Sequence, residues 1–266
     1  LQAFATTHSE VFMQYAGAGY VVTWSNERGT SVERLSHEQL VDRASEAGIC
    51  DTPHLLSWRR TRPLVIVEGK WDRRYLEEAC RRANYQPSFT VLHLADYPAL
   101  IAGGKTSLAS LVNVPWFERQ LAGRAAPVVL LFDPDVPSDT VARVGQQLRA
   151  LHGTSFALKP PEQLLLRSAR RLKGMERLLA ESFLSRAAAA ERAPVRKLED
   201  KATGEVTYEF AGESSSAKQR LYECFEASAS AEEGASFLEL ARYIEQRLAT
   251  GGETACGRTG LAASGA

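Results

Sequence analysis

Cysteines are few in this sequence and none of them are paired by spacing. Cys50, Cys80, Cys224 and Cys256 are scattered, with no C-x-x-C and no metal-ligand interval. This excludes a spacing-defined disulfide framework or zinc site and points to reduced thiols in a cytoplasmic protein. No stretch approaches the roughly 20 apolar residues that a membrane span needs. No signal peptide opens the chain, so no membrane partner is expected. There is no excess of charge either. Lys+Arg and Asp+Glu balance at 32 each, so net charge gives no hint of a polyanionic partner. A Walker A loop is missing: Gly104-Lys105-Thr106 is present, but the upstream position that needs glycine holds Ala99. Walker B acids and an ABC signature are also lacking, as are Ser-His-Asp and Cys-His arrangements. Internal repeats are absent.

What is present is an ordinary globular composition. The 266 residues can bury one large core or two small ones. The sequence begins with Leu in what reads as mid-strand, so a piece of a longer protein is expected. Basic residues gather at Arg59-Arg60-Thr61-Arg62 and along Arg167, Arg170, Arg171 and Lys173. These are either solvated faces or a phosphate-binding track.

Two stretches organise the rest. Pro63-Leu64-Val65-Ile66-Val67 is a buried-strand pattern that ends in Glu68-Gly69, and Tyr75, Leu76, Ala79, Cys80 and Ala83 then take up helical spacing. Val128-Val129-Leu130-Leu131-Phe132 has the same form. It ends in Asp133-Pro134-Asp135, with a helix from about residue 138. Strands are expected near 64–67, 89–94, 128–132 and 154–158. Helices are expected near 71–84, 105–122 (broken at Pro115) and 138–151. This alternation predicts an α/β fold, a mostly parallel sheet with right-handed crossovers. Upstream, a strand over 1–9, a hairpin turning at Glu27-Arg28-Gly29, and a helix over 37–47 are expected. Downstream come helices over 162–172 and 173–192, a polar hairpin over 194–211 with Gly204 in its turn, helices over 216–227 and 233–248, and a disordered tail over 251–266.

Strand ends are where open α/β sheets place ligands. Asp133 and Asp135 are two apart, which on a strand sends both carboxylates to the same side of the pleat. With Glu68 opposite, this is a hard-oxygen donor set suited to Mg2+ or Mn2+. Asp72 either serves a second metal or answers the helix macrodipole. Gly69 permits a tight turn beside the acid. Gly103-Gly104-Lys105 opens a helix and offers N–H groups and a cation to a phosphate.

Glu68-Gly69-Lys70-x-Asp72 followed by Asp133-x-Asp135 on a successive strand resembles the Toprim domain. That domain is shared by topoisomerases, DnaG-type primases, RNA-maturation nucleases of the M5 type and the OLD (overcoming lysogenization defect) nucleases. With Gly103-Gly104-Lys105-Thr106 between the acids, the pattern is most similar to the OLD family. Thr7-His8-Ser9 resembles the switch-histidine segment that ends an ABC-type ATPase domain, which precedes Toprim in that family. The resemblance implies an ATPase remnant over 1–36, a connector over 37–62 and a Toprim nuclease with a helical C-terminal part over 63–250. It implies two Mg2+ or Mn2+ ions held by Glu68, Asp72, Asp133, Asp135 and Glu162, with Lys218 as a late catalytic lysine. DNA is the implied substrate, with RNA the alternative, and phage defence the implied setting. His8 meets ATP only through an upstream ATPase, through which the chain would also dimerise. A non-catalytic Toprim-like binding module remains open, as does an M5-type RNA-processing nuclease.

Overall fold

The computed structural model describes residues 18–25, 29–36, 62–94, 107–122, 124–212 and 214–251. Strands β1 (Ala18–Ser25) and β2 (Gly29–Ser36) form an antiparallel hairpin in which Ser25 faces Gly29. Gly29 has φ +69°, the left-handed geometry that the expected turn requires.

The central sheet is four-stranded and parallel, with β3 (Leu64–Val67), β4 (Thr90–His93), β5 (Val128–Leu131) and β6 (Phe156–Leu158) in the order β4-β3-β5-β6. Leu64 is in register with both Thr90 and Val128, and Val129 with Phe156. β3 and β5 are buried on both faces, which is why they read as unbroken apolar runs. Helices are α1 (Lys70–Arg82), α2 (Leu108–Leu111), α3 (Pro115–Ala122) and α4 (Ser138–Leu151). Pro115 opens α3, where its missing N–H leaves no bond unmade. The chain is therefore α/β with a Rossmann-like layering.

Alternation along the strands divides the core in two. Val65, Val67, Val129 and Leu131 face α1, while Leu64, Ile66, Val128 and Leu130 face Leu108, Phe117, Leu121, Val144 and Leu148 of α2, α3 and α4. The order explains the division. β3 leads by α1 to β4 on one side, whereas β5 lies on the other side of β3 and leads on to β6. Right-handed crossovers in opposite directions place their helices on opposite faces. The carboxyl ends of β3 and β5 are thus the topological switch point, where the outgoing loops diverge and leave a crevice.

The C-terminal part continues the α1 core. Helices α5 (Glu181–Ala188), α6 (Ser214–Ser228) and α7 (Ala235–Ala249), with the hairpin β7 (Val195–Glu199) and β8 (Val206–Phe210), contribute Phe183, Tyr208, Phe225, Phe237 and Ile244 to it. Arg82 of α1 donates to the carbonyls of Phe225, Glu226 and Ala229 at the end of α6. Cys80 and Cys224 are free thiols. Among the described residues no helix is long and apolar enough to cross a membrane.

One expectation is corrected. The segments 162–172 and 173–192 are not two long helices but short 3-10 turns at Glu162–Leu164, Arg167–Ala169 and Gly174–Leu178, followed by the short α5. Pro161, Leu165 and Leu166 are extended, and Gly174 has φ +85°. These geometries interrupt a helical ladder that the Leu/Ala/Arg composition favours, and Ala169, Leu172, Met175 and Leu178 are packed instead into the core on the α1 face of the sheet. The expected strand over 1–9, the helix over 37–47 and all but the first residue of the tail lie outside the described residues.

Candidate functional site

At the end of β3 the chain turns from strand to helix within two residues. Glu68 is exposed, and Gly69 is the extended residue before α1. The Gly69 N–H donates to Oδ2 of Asp72 at 2.8 Å. A Cβ on Gly69 would stand 2.7 Å from that oxygen, so a side chain there would push the carboxylate out of its present place. Asp72 is buried there. It fulfils the helix-start reading and is also carried into the crevice.

At the end of β5, Phe132 keeps its bond to the Leu158 carbonyl at 2.9 Å, and the chain then leaves the sheet. The Val136 N–H donates to the Asp133 carbonyl at 3.1 Å. Asp133-Pro134-Asp135-Val136 is therefore a β-turn with proline at its second position. This corrects the expectation of two acids on a pleat: Pro134 bends the chain into a turn, and both carboxylates still come to one residue, Gly174. Oδ1 of Asp133 is buried and has no hydrogen-bond partner. Asp135 is outermost, its side chain 43% exposed, accepting from the Gly174 N–H at 2.9 Å and from Nη1 of Arg177 at 3.1 Å.

The C-terminal part closes the crevice. Glu176, wholly buried, accepts from Nζ of Lys218 on α6 at 2.9 Å through Oε2, while its Oε1 has no partner. Gly174 lies against the centre of this group. A Cβ there would stand 3.0 Å from Oε2 of Glu176, 3.0 Å from Nζ of Lys218 and 3.1 Å from Oδ2 of Asp133.

Burial and like charge act together on these acids. The Asp72 carboxyl is held well above the usual range, first by burial and then by Asp133 and Glu176, with Lys218 opposing. Burial pushes Asp133 up to about 6; Lys218 opposes it, while Glu176, Glu68 and Asp135 add to it. Glu176 is raised because its burial outweighs Lys218. Burial works against the Lys218 ammonium, but Glu176, Asp72 and Asp133 hold its proton more firmly than usual. Five carboxylates (Glu68, Asp72, Asp133, Asp135 and Glu176) against Lys218 and Arg177 leave the crevice short of positive charge.

The structure thus brings together Glu68, Gly69, Asp72, Asp133, Asp135 and Lys218. Glu162 is exposed on its own 3-10 turn; the buried acid that meets Lys218 is Glu176. Glu176, Gly174 and Arg177 were not singled out from the sequence. The available signal was the lone Gly174 inside a helical pattern, which marks a break or close packing. His8, Gly103, Gly104 and Lys105 lie outside the described residues.

Among the described residues, no three His, Cys, Asp or Glu side chains stand close enough together to grip an ion as they are. The donor chemistry nevertheless fits a hard divalent cation: carboxylate oxygens at Glu68, Asp133 and Glu176, two of them buried and orphaned. No protein-family model, curated protein or solved structure matches the chain.

Proposed function

We propose that the chain is a divalent-metal-dependent nuclease that hydrolyses DNA phosphodiester bonds, and that its α/β unit is a Toprim domain of the OLD type. The observation that carries this reading is the partnerless, buried Oδ1 of Asp133 at the switch point of a parallel sheet, beside a second orphaned oxygen on Glu176. Glu68, Asp133, Asp135 and Glu176 would hold Mg2+ or Mn2+. A bound ion of this class supplies acidity to a water near neutral pH and charge to the leaving oxygen.

The chain's own residues do the rest. Gly69 fixes Asp72 so that its charge faces the crevice and not solvent. Lys218 is a fixed cation beside the acids, placed to offset charge as it grows on a phosphate. Arg177 has a guanidinium at the mouth, on Asp135, within reach of a second phosphate oxygen. ATP use and dimerisation belong to the same proposal only through a part of the protein upstream of these residues, with His8 as the contact to ATP.

The Lys218–Glu176 pair favours one other reading. An internal ammonium can neutralise acids that serve only as a structural network, in a module that binds nucleic acid without cutting it. Supercoiled plasmid incubated with Mg2+ or Mn2+ separates the two. The nuclease nicks or linearises it, EDTA stops this, and Asp133→Ala/Asp135→Ala abolishes it. Intact plasmid with both ions, together with a gel shift that the variant retains, would overturn the nuclease reading. A structured RNA arm tests the preference for RNA.

A further inference from the structure

The first turn of α1 carries a second feature, on the flank of the acidic crevice. Trp71 adjoins Asp72 in sequence but is only half-buried. Its ring leans on Tyr222, with centroids 5.3 Å apart and planes tilted by 31°. Tyr222 is itself buried and braced edge-on by Tyr75 at 5.2 Å, and Tyr75 is stacked on Phe237. The indole therefore rests against a rigid aromatic backing.

Two exposed cations lie over it. Nζ of Lys70 is 4.4 Å from the indole centroid, and the Arg74 guanidinium is 5.1 Å from it and 5.7 Å from the Tyr222 ring. Neither forms a salt bridge with a described acid. Tyr222 follows Lys218 by four residues on α6, so the two share one face of that helix, one turn apart. The same face of α6 that delivers an ammonium to the acids thus backs the indole, and α1 delivers Asp72 and Trp71 as neighbours.

The Lys70 and Arg74 heads lie over the indole without a salt bridge to a described acid; when they move off the ring to a strand's phosphates, the uncovered indole receives an unpaired nucleobase. A base inside a duplex has both faces covered and cannot use it. We infer that Trp71, with Lys70 and Arg74, is a stacking subsite for an unpaired nucleotide next to the bond held in the crevice. The preferred substrate is then single-stranded nucleic acid, or the single-stranded part of a flap or frayed end. The inference rests on the reading of the crevice as a phosphodiester site.

The test is fluorescence anisotropy of the 266-residue chain in EDTA, where no cleavage can intervene. The probes are a labelled single strand of about twelve nucleotides, made as DNA and as RNA, and a blunt duplex of the same sequence. Wild type is expected to bind the single strand more tightly than the duplex. Trp71→Leu is expected to weaken single-strand binding by about tenfold and duplex binding by less than about twofold. Trp71→Phe, which keeps a ring, retains the preference. Because Trp71 also packs on the core, the ratio of single-strand to duplex affinity is the decisive quantity; partial unfolding scales both alike. The DNA and RNA arms identify the sugar. A wild-type ratio at or below one for both sugars, or a ratio that Trp71→Leu leaves unchanged, overturns the subsite. A single-strand preference lost in Trp71→Leu, alongside intact plasmid in Mg2+ and Mn2+, keeps the subsite and removes the nuclease reading. Plasmid cleavage with a flat ratio does the reverse.

Discussion

Lys218 donates to Glu176 across 2.9 Å, joining a lysine whose side chain is 23% exposed to a glutamate whose side chain has no exposure at all. The pair is asymmetric. Part of the Lys218 side chain reaches the surface, whereas none of Glu176 does, and the second oxygen of Glu176 already lacks a partner.

That asymmetry predicts how the pair breaks. Lys218→Met leaves Glu176 buried without a cation and is expected to destabilise the fold by about 3 kcal/mol. Adding Glu176→Gln removes the stranded charge and recovers a large part of the loss. Urea unfolding of the wild type, the single variant and the double variant measures this. A double variant no more stable than Lys218→Met would mean that the Glu176 charge is not the source of the loss.

The acids also set a pH dependence. Asp133 is pushed up to about 6, above its value in an unfolded chain. The folded protein therefore holds that proton more tightly, and stability is lost as pH rises from about 4 through about 6. Asp133→Asn carries no such loss. Above pH about 6 it is expected to exceed wild type by about 2–3 kcal/mol, and the gap should close by pH about 4. A difference that does not vary with pH across this window contradicts the assignment.

Gly174 and Gly204 make a matched comparison. Both have positive φ, +85° and +69°, but a Cβ at Gly204 meets open space, whereas one at Gly174 meets Glu176, Lys218 and Asp133. Gly204→Ala is expected to lose only the backbone term, about 1 kcal/mol. Gly174→Ala loses that and also spreads the acidic crevice, so its melting temperature falls further and its divalent-ion response weakens. Equal melting temperatures for the two variants would show that the crevice yields freely at Gly174.

Divalent ions give the most direct reading of the crevice. If Mn2+ or Mg2+ binds the folded chain alone, an ion at a hundred times its dissociation constant stabilises it by about 2.7 kcal/mol. Thermal melts should rise with Mn2+ for wild type at pH about 7, where Asp133 is ionised. They should not rise for Asp133→Asn/Asp135→Asn. A rise of equal size in the variant assigns the ions elsewhere.

The sequence by itself determined the sheet and its two acidic strand ends. Leu64–Val67 and Val128–Leu131 are apolar throughout because both of their faces are buried, and a local pattern is enough to show that. Glu68, Gly69 and Asp72 were legible because strand end, turn and helix start are neighbours in the chain, and Gly204 was legible as the turn of its hairpin for the same reason. Three things only the tertiary structure decided. The strand order β4-β3-β5-β6, a long-range pairing, turned two separate acidic ends into one crevice. Asp133 and Asp135, joined by the turn at Pro134, both came to Gly174 from another part of the chain, Asp135 also meeting Arg177. Glu176, rather than Glu162, came to the acids because Gly174 could take a positive φ beneath Lys218, some forty residues away in sequence but in contact in space. Composition over 162–192 favours helix. The packing of Ala169, Leu172, Met175 and Leu178 into the core beside α1 outweighed a propensity of a few tenths of a kcal/mol per residue.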